Sequence, residues 1–175
     1  MLISCVVYKD GKRVADILPN QIHEYLSDPA CFVWVALLDP DDADLEAMGR
    51  ALSRLQVDNG VAVIHLGEIN REDVIPQLAE FCLQIEGVDW SVVSGLVKDR
   101  VVISVRNVGY VKSAGEIMKR LYDDIGSAGG HRAMAKAVVP LDRFKQRFGE
   151  VSEKVIREAM LPMIVDRDQI ELELH

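Results

Sequence analysis

Two hydrophobic periods alternate along this chain, one of about two residues and one of about 3.6. Residues 2–8 form an apolar, β-branched run, Lys9-Asp10-Gly11-Lys12 supplies a turn, and 13–17 returns as the second arm of a hairpin. Residues 19–26 carry Ile22, Tyr25 and Leu26 at a short helical spacing that Asp28-Pro29 stops. Residues 32–38 read as a buried strand. Leu45, Met48, Leu52 and Leu55 then fall at helical intervals, with Asp39 as N-cap and Pro40 at the first helical position. Asp58-Asn59-Gly60 is a turn cluster and marks a domain boundary.

After Gly60 the pattern restarts. Residues 61–66 predict a strand and 71–85 an amphipathic helix, with Pro76 tolerated in its first turn and Gly87 closing it. Residues 90–97 and 101–105 flank Lys98-Asp99-Arg100 as a β-hairpin, and 114–125 is a second helix with Ile117, Met118 and Leu121 inward. Residues 126–130 form a glycine-rich loop, and 137–139 a last strand. Residues 144–160 read as a helical tail offering Phe144, Phe148, Val151, Val155 and Met160 as a face for a partner or an oligomer. Ile170, Leu172 and Leu174 alternate with acids as a short strand or a frayed end.

The expected fold is therefore α/β (α+β): two small mixed sheets with packed helices, plus a C-terminal helix. The expected units are 1–58, 59–142 and 143–175. The longest apolar run, residues 31–38, falls short of the roughly 20 residues a membrane-spanning helix needs, so no membrane insertion is expected. No signal peptide is visible at the N-terminus. Cys5, Cys31 and Cys82 are odd in number, widely spaced and in apolar company, which fits reduced thiols in a cytoplasmic protein. A net charge of −8 argues against a broad surface for long nucleic acid but leaves room for a local cationic pocket.

The most informative chemistry lies in Gly126-Ser127-Ala128-Gly129-Gly130-His131-Arg132-Ala133-Met134-Ala135. Adjacent glycines admit unusual backbone angles and let a ligand approach the main chain. A helical turn beginning at His131 would aim free N–H groups at an anion. His131 and Arg132 add a titratable donor and a fork of donors suited to phosphate oxygens, and Arg106, at a strand end, can reach the same cleft. On local chemistry alone, two glycines before a histidine serve equally well as a helix cap and a turn.

Residues 61–141 resemble the C-terminal, DHH-associated domain of the DHH phosphoesterases, the RecJ-like exonucleases and the nanoRNases. The likeness is carried by Gly87-Val88-Asp89-Trp90, Ser104-Val105-Arg106 and Gly129-Gly130-His131 with Ala133 and Ala135 after it. The commonest family loop has three glycines before the histidine, and this one has Ala128 in the first place. The resemblance implies that Arg106, Gly129, Gly130, His131 and Arg132 hold the phosphate of a short oligonucleotide or nucleotide. It places the catalysis in a separate DHH domain carrying divalent metal, usually manganese, bound by Asp and His residues. The four histidines, His23, His65, His131 and His175, are far apart and no Asp-His-His tripeptide occurs, so neither catalytic residues nor metal ligands are expected in this chain.

The first 55 residues resemble the cytosolic N-terminus of CorA magnesium and cobalt transporters, through residues 8–17 and 32–40. The pore helices and Gly-Met-Asn signature of those channels are missing. Three readings stay open beside the substrate-binding one: a non-enzymatic interaction or oligomerisation module, a regulatory fragment related to CorA, and a phosphodiesterase completed by a catalytic DHH subunit. Asp39, Asp41, Asp42, Asp44 and Glu46 suit a helix start better than a metal.

Overall fold

The computed structural model describes residues 2–17, 21, 24–25, 28–37, 42–53, 55, 57–108 and 112–165. The helix expected over 19–26, the Asp39-Pro40 helix start and the alternation at 170–174 lie wholly or largely outside these residues.

Strands β1 (Leu2–Lys9), β2 (Lys12–Ile17) and β3 (Cys31–Leu37) form a three-stranded sheet in the order β2-β1-β3. The β1–β2 hairpin closes through Asp10 and Gly11, both at positive φ (50° and 75°), as a two-residue turn requires when it must match strand twist. β3 pairs antiparallel to β1 on its other side, which sets Tyr8 opposite Phe32 with their rings stacked at 5.0 Å. This sheet is antiparallel throughout, so the expectation of a mixed sheet holds only for the larger one. Phe81 packs against its buried Val7 and Ile17.

Helix α1 (Asp42–Leu52) leads into the larger sheet. Its strands are β4 (Val57–Asp58), β5 (Val61–Glu68), β6 (Trp90–Val97), β7 (Arg100–Asn107), β8 (Ser127–Gly130) and β9 (Met134–Pro140), in the order β4-β5-β6-β7-β9-β8. Only β5 and β6 run parallel, joined by the crossover helix α2 (Val74–Cys82). Asn59 and Gly60, both at positive φ, turn β4 into β5. The turn cluster Asp58-Asn59-Gly60 closes the β4–β5 hairpin.

Alternation along the strands gives the sheet two apolar faces. One, with Ile64, Val93 and Val102, packs on α2 and on Met48 and Leu52 of α1. The other, with Val63, Ile103 and Val139, packs on α3 (Ala114–Tyr122), α4 (Leu141–Phe148) and α5 (Glu153–Ile164). The tail expected as one helix is two, because Gly149 (φ 89°) ends α4 and Ser152 caps α5 by accepting from Val155 N at 3.3 Å. Phe144 and Met160, which the interaction-module reading offers as part of a partner face, are 1% and 0% exposed, and Phe148, Val151 and Val155 pack beside them. An amphipathic stripe looks the same in sequence whether it meets another chain or its own sheet. No described helix is long and apolar enough to cross a membrane.

Candidate functional site

Arg106 stands one residue from the end of β7 and reaches the α2 side of the sheet. Its Nε meets Glu80 Oε2 at 3.2 Å, and its Nη1 donates to Ser104 Oγ at 3.1 Å and to Val105 O at 3.0 Å. The Arg106 side chain is 16% exposed while that of Glu80 is 61% exposed. The guanidinium is therefore fixed by the sheet, whereas the carboxylate over it sits in solvent, where such a pair is worth roughly 0–1 kcal/mol.

The glycine-rich segment is not a loop. Ser127–Gly130 is the edge strand β8, antiparallel to β9, and β9 begins at Met134 rather than at 137. Gly130 pairs with Ala135, so residues 131–133 must reverse the chain, closed by His131 N donating to Met134 O at 2.7 Å. No helical turn begins at His131, and the anion-attracting helix end expected there does not exist. The helix end nearby is that of α3, and the turn already serves it. Ala114 N donates to Arg132 O at 2.9 Å, Gly115 N to His131 O at 3.0 Å, and Ser113 Oγ accepts from Glu116 N at 3.4 Å. Asn107, 4% exposed, fixes the same junction by donating from Nδ2 to Lys112 O and Arg132 O, each at 3.2 Å.

The two glycines differ in what the fold asks of them. Gly130 has φ 153°, and a Cβ there would stand 2.3 Å from Met134 O and 2.4 Å from Ala135 Cα. The hairpin requires it. Gly129 is not in the left-handed region, and a Cβ on it would meet only Lys119 Cε at 3.7 Å. Packing would accept an alanine. His131 and Arg132 are exposed in the turn, with their carbonyls docked on α3.

Pairing across β7, β9 and β8 sets two rows side by side. Arg106 lies opposite Met134, and Ser104, Lys136 and Gly129 lie opposite one another. Arg106 and Gly129 are thus two strands apart, about 10 Å in the pairing direction. The row also contains Lys136, which the sequence reading passed over. Burial of Ala135, Ala137 and Val139 against exposure of Met134 and Lys136 is a strand alternation that starts before 137 and would have exposed it.

A separate groove of about 540 Å³ runs between α3 and α5, lined by Lys112, Ser113, Glu116, Ile117, Arg120, Pro162 and Met163. It contains none of the expected site residues. His65 is paired with Ser94 inside the sheet at 2.9 Å from Nδ1 to Oγ. Among the described residues no group of three His, Cys, Asp or Glu side chains comes together, so they offer a metal pair no donor set.

The DHHA1 domain model matches residues 58–158, more than half of the chain. The chain belongs to the DHHA1 domain family. That span runs from β4 into α5 and includes Arg106, the Gly129–Arg132 segment and Lys136. An uncharacterized protein of Methanocaldococcus jannaschii is 32% identical over 124 residues, covering 70% of this chain and 25% of its own length. The chain therefore spans about a quarter of that relative. Among solved structures, an exopolyphosphatase-related protein from Bacteroides fragilis shares the fold, with TM-score 0.51 and 20% identity over 69% of this chain and 35% of its own. A pGpG-specific phosphodiesterase from Vibrio cholerae matches at TM-score 0.42 and 15% identity, over 69% of this chain and 37% of its own. The DHHA1 match starts at residue 58, so the likeness of the first 55 residues to CorA rests on sequence pattern alone.

Proposed function

We propose that this DHHA1 domain is the substrate-holding half of a DHH-type phosphoesterase in the cytoplasm. It binds the phosphate of a short oligonucleotide or nucleotide and relies on a separate catalytic domain for manganese and hydrolysis. Arg106 supplies a pre-fixed cationic fork, and the backbone of Gly129 to Arg132 supplies the close approach on the neighbouring edge. The observation that carries this reading is Gly129. The fold makes no demand for a glycine there, yet one stands on an edge strand in register with Ser104 and Lys136. A bare position where packing would accept a methyl group lets an incoming ligand approach the main chain.

The test is titration of a dinucleotide against the wild type, Arg106→Ala, Arg132→Ala and Gly129→Ala. All three variants should fold. Arg106→Ala and Arg132→Ala should each weaken binding by about tenfold, the loss of one charge-assisted contact. Gly129→Ala should weaken it at an unchanged melting temperature. Equal affinity for all four proteins discards the site.

A further inference from the structure

Resting on that phosphate reading, the arrangement of charges on the sheet says more about the ligand. We propose that Lys136 holds a second phosphoryl group beside the one on Arg106. The ligand that suits the site then carries two phosphoryl groups, and Glu72 and Glu80 hold the two cations in its absence.

Arg106 pairs with Met134 and Lys136 with Ser104, so the two cations are diagonal neighbours on adjacent strands and share the α2 face of the sheet. Diagonal neighbours in an antiparallel pair lie about 7–8 Å apart, within reach of two long side chains. Ser104 links the positions: it lies opposite Lys136, and its Oγ accepts from Arg106 Nη1.

Each cation now rests on a carboxylate from the same helical region. Lys136 Nζ pairs with Glu72, just before α2, and Arg106 Nε with Glu80, inside it. Glu72 is 45% exposed and Glu80 61% exposed, so both can turn into water when a stronger anion arrives. Nη2 of Arg106 takes no hydrogen bond among the described residues, leaving one end of the fork for a second oxygen. Exposed Met134, opposite Arg106, adds apolar surface beside the two charges. A ligand with a single phosphoryl group satisfies one cation and leaves the other with its acid. A ligand with two displaces both.

The experiment titrates the full chain with inorganic phosphate, pyrophosphate and a 5′-phosphorylated dinucleotide, using wild type, Arg106→Met, Lys136→Met and Glu72→Gln. Wild type should prefer one of the two-phosphoryl ligands to phosphate, and which one it prefers identifies the source. Lys136→Met should lower affinity for that ligand by about tenfold and leave inorganic phosphate unchanged. Arg106→Met should weaken both. Glu72→Gln should tighten the two-phosphoryl ligand several-fold at low salt.

If Lys136→Met acts equally on all ligands, or on none, the second position is refuted while the Arg106 reading stands. If Arg106→Met also binds like wild type, or wild type binds nothing, the phosphate reading itself falls. Thermal melts verify that each variant is folded.

Discussion

A Cβ placed on Gly115 would stand 2.7 Å from the carbonyl oxygen of Gly130. The first turn of α3 is pressed onto the β8–β9 hairpin closely enough that Gly115 has no room for a methyl group. That contact, with Gly115 N donating to His131 O at 3.0 Å, acts together with Ala114 N and Asn107 Nδ2, both donating to Arg132 O, to hold the exposed turn in place.

Gly115→Ala should therefore destabilise the protein by roughly 1–3 kcal/mol, because the obstacle is backbone and cannot rotate aside. Gly129→Ala should change stability by less than about 0.5 kcal/mol, as surface substitutions away from special geometry do. Urea midpoints measured side by side check the contrast. Comparable losses in the two variants would mean that both glycines serve packing.

Tyr122 is fully buried against Phe144 and Phe148, and its hydroxyl is the buried side-chain oxygen without a hydrogen-bond partner among the described residues. Burial pushes its ionisation well above the usual range for a phenol, with nearby Arg147 opposing the shift. Removing an unsatisfied polar atom relieves a desolvation cost, so Tyr122→Phe should be neutral or stabilising by about 1 kcal/mol. A clear drop in melting temperature would show that the hydroxyl is bonded, for instance to a buried water.

Cys82, the last residue of α2, is 0% exposed, and burial pushes its thiol up to about 12. At neutral pH it is a thiol, the unreactive form. An alkylating reagent should modify half-buried Cys31 in the native protein and reach Cys82 only as urea unfolds the large sheet. Peptide mapping after timed labelling distinguishes them, and fast native labelling at Cys82 would contradict its burial.

His65 sits inside the large sheet beside Ser94, whose Oγ donates to Ile64 O at 3.1 Å and so accepts from His65 Nδ1. Burial lowers the affinity of His65 for a proton, and Glu153 of α5, itself paired with Arg157 at 3.3 Å, partly opposes this. The unfolded chain then takes up the proton first. The contribution to stability is complete above the unfolded-state value of about 6.5 and is lost as pH falls from there through the lower folded-state value. Urea midpoints at pH 7.5 and 5.5 should fall for wild type and fall less for His65→Gln. An equal drop in both would assign the acid sensitivity to other groups.

Much of this fold is written in local pattern. Asp10-Gly11 between β-branched runs predicts the first hairpin, and the periodicity of Val74, Ile75, Leu78, Ala79 and Cys82 predicts the crossover helix. Strand β8 is different. Ser127-Ala128-Gly129-Gly130 has no strand propensity of its own and is extended because β9 pairs with it and α3 packs on it. Missing that strand displaced the start of β9, and with it the place of Lys136. The place of Arg106 near the end of β7 was legible from the strand pattern of residues 101–105. Its carboxylate partner was not, since Glu80 lies 26 residues away and only the packing of α2 on β7 brings it near.

The larger sheet ends at both margins in strands that are very short, two residues in β4 and four in β8. Unsatisfied strand margins are where separate molecules zip together into fibres, and brevity is one of the ways natural sheets prevent it. Among the described residues, β4 pairs only with Val61 and Ala62 of β5 and β8 only with residues 135–138 of β9, so strand-to-strand polymerisation through this sheet would have to start on the stretches of β5 and β9 that these margins leave uncovered.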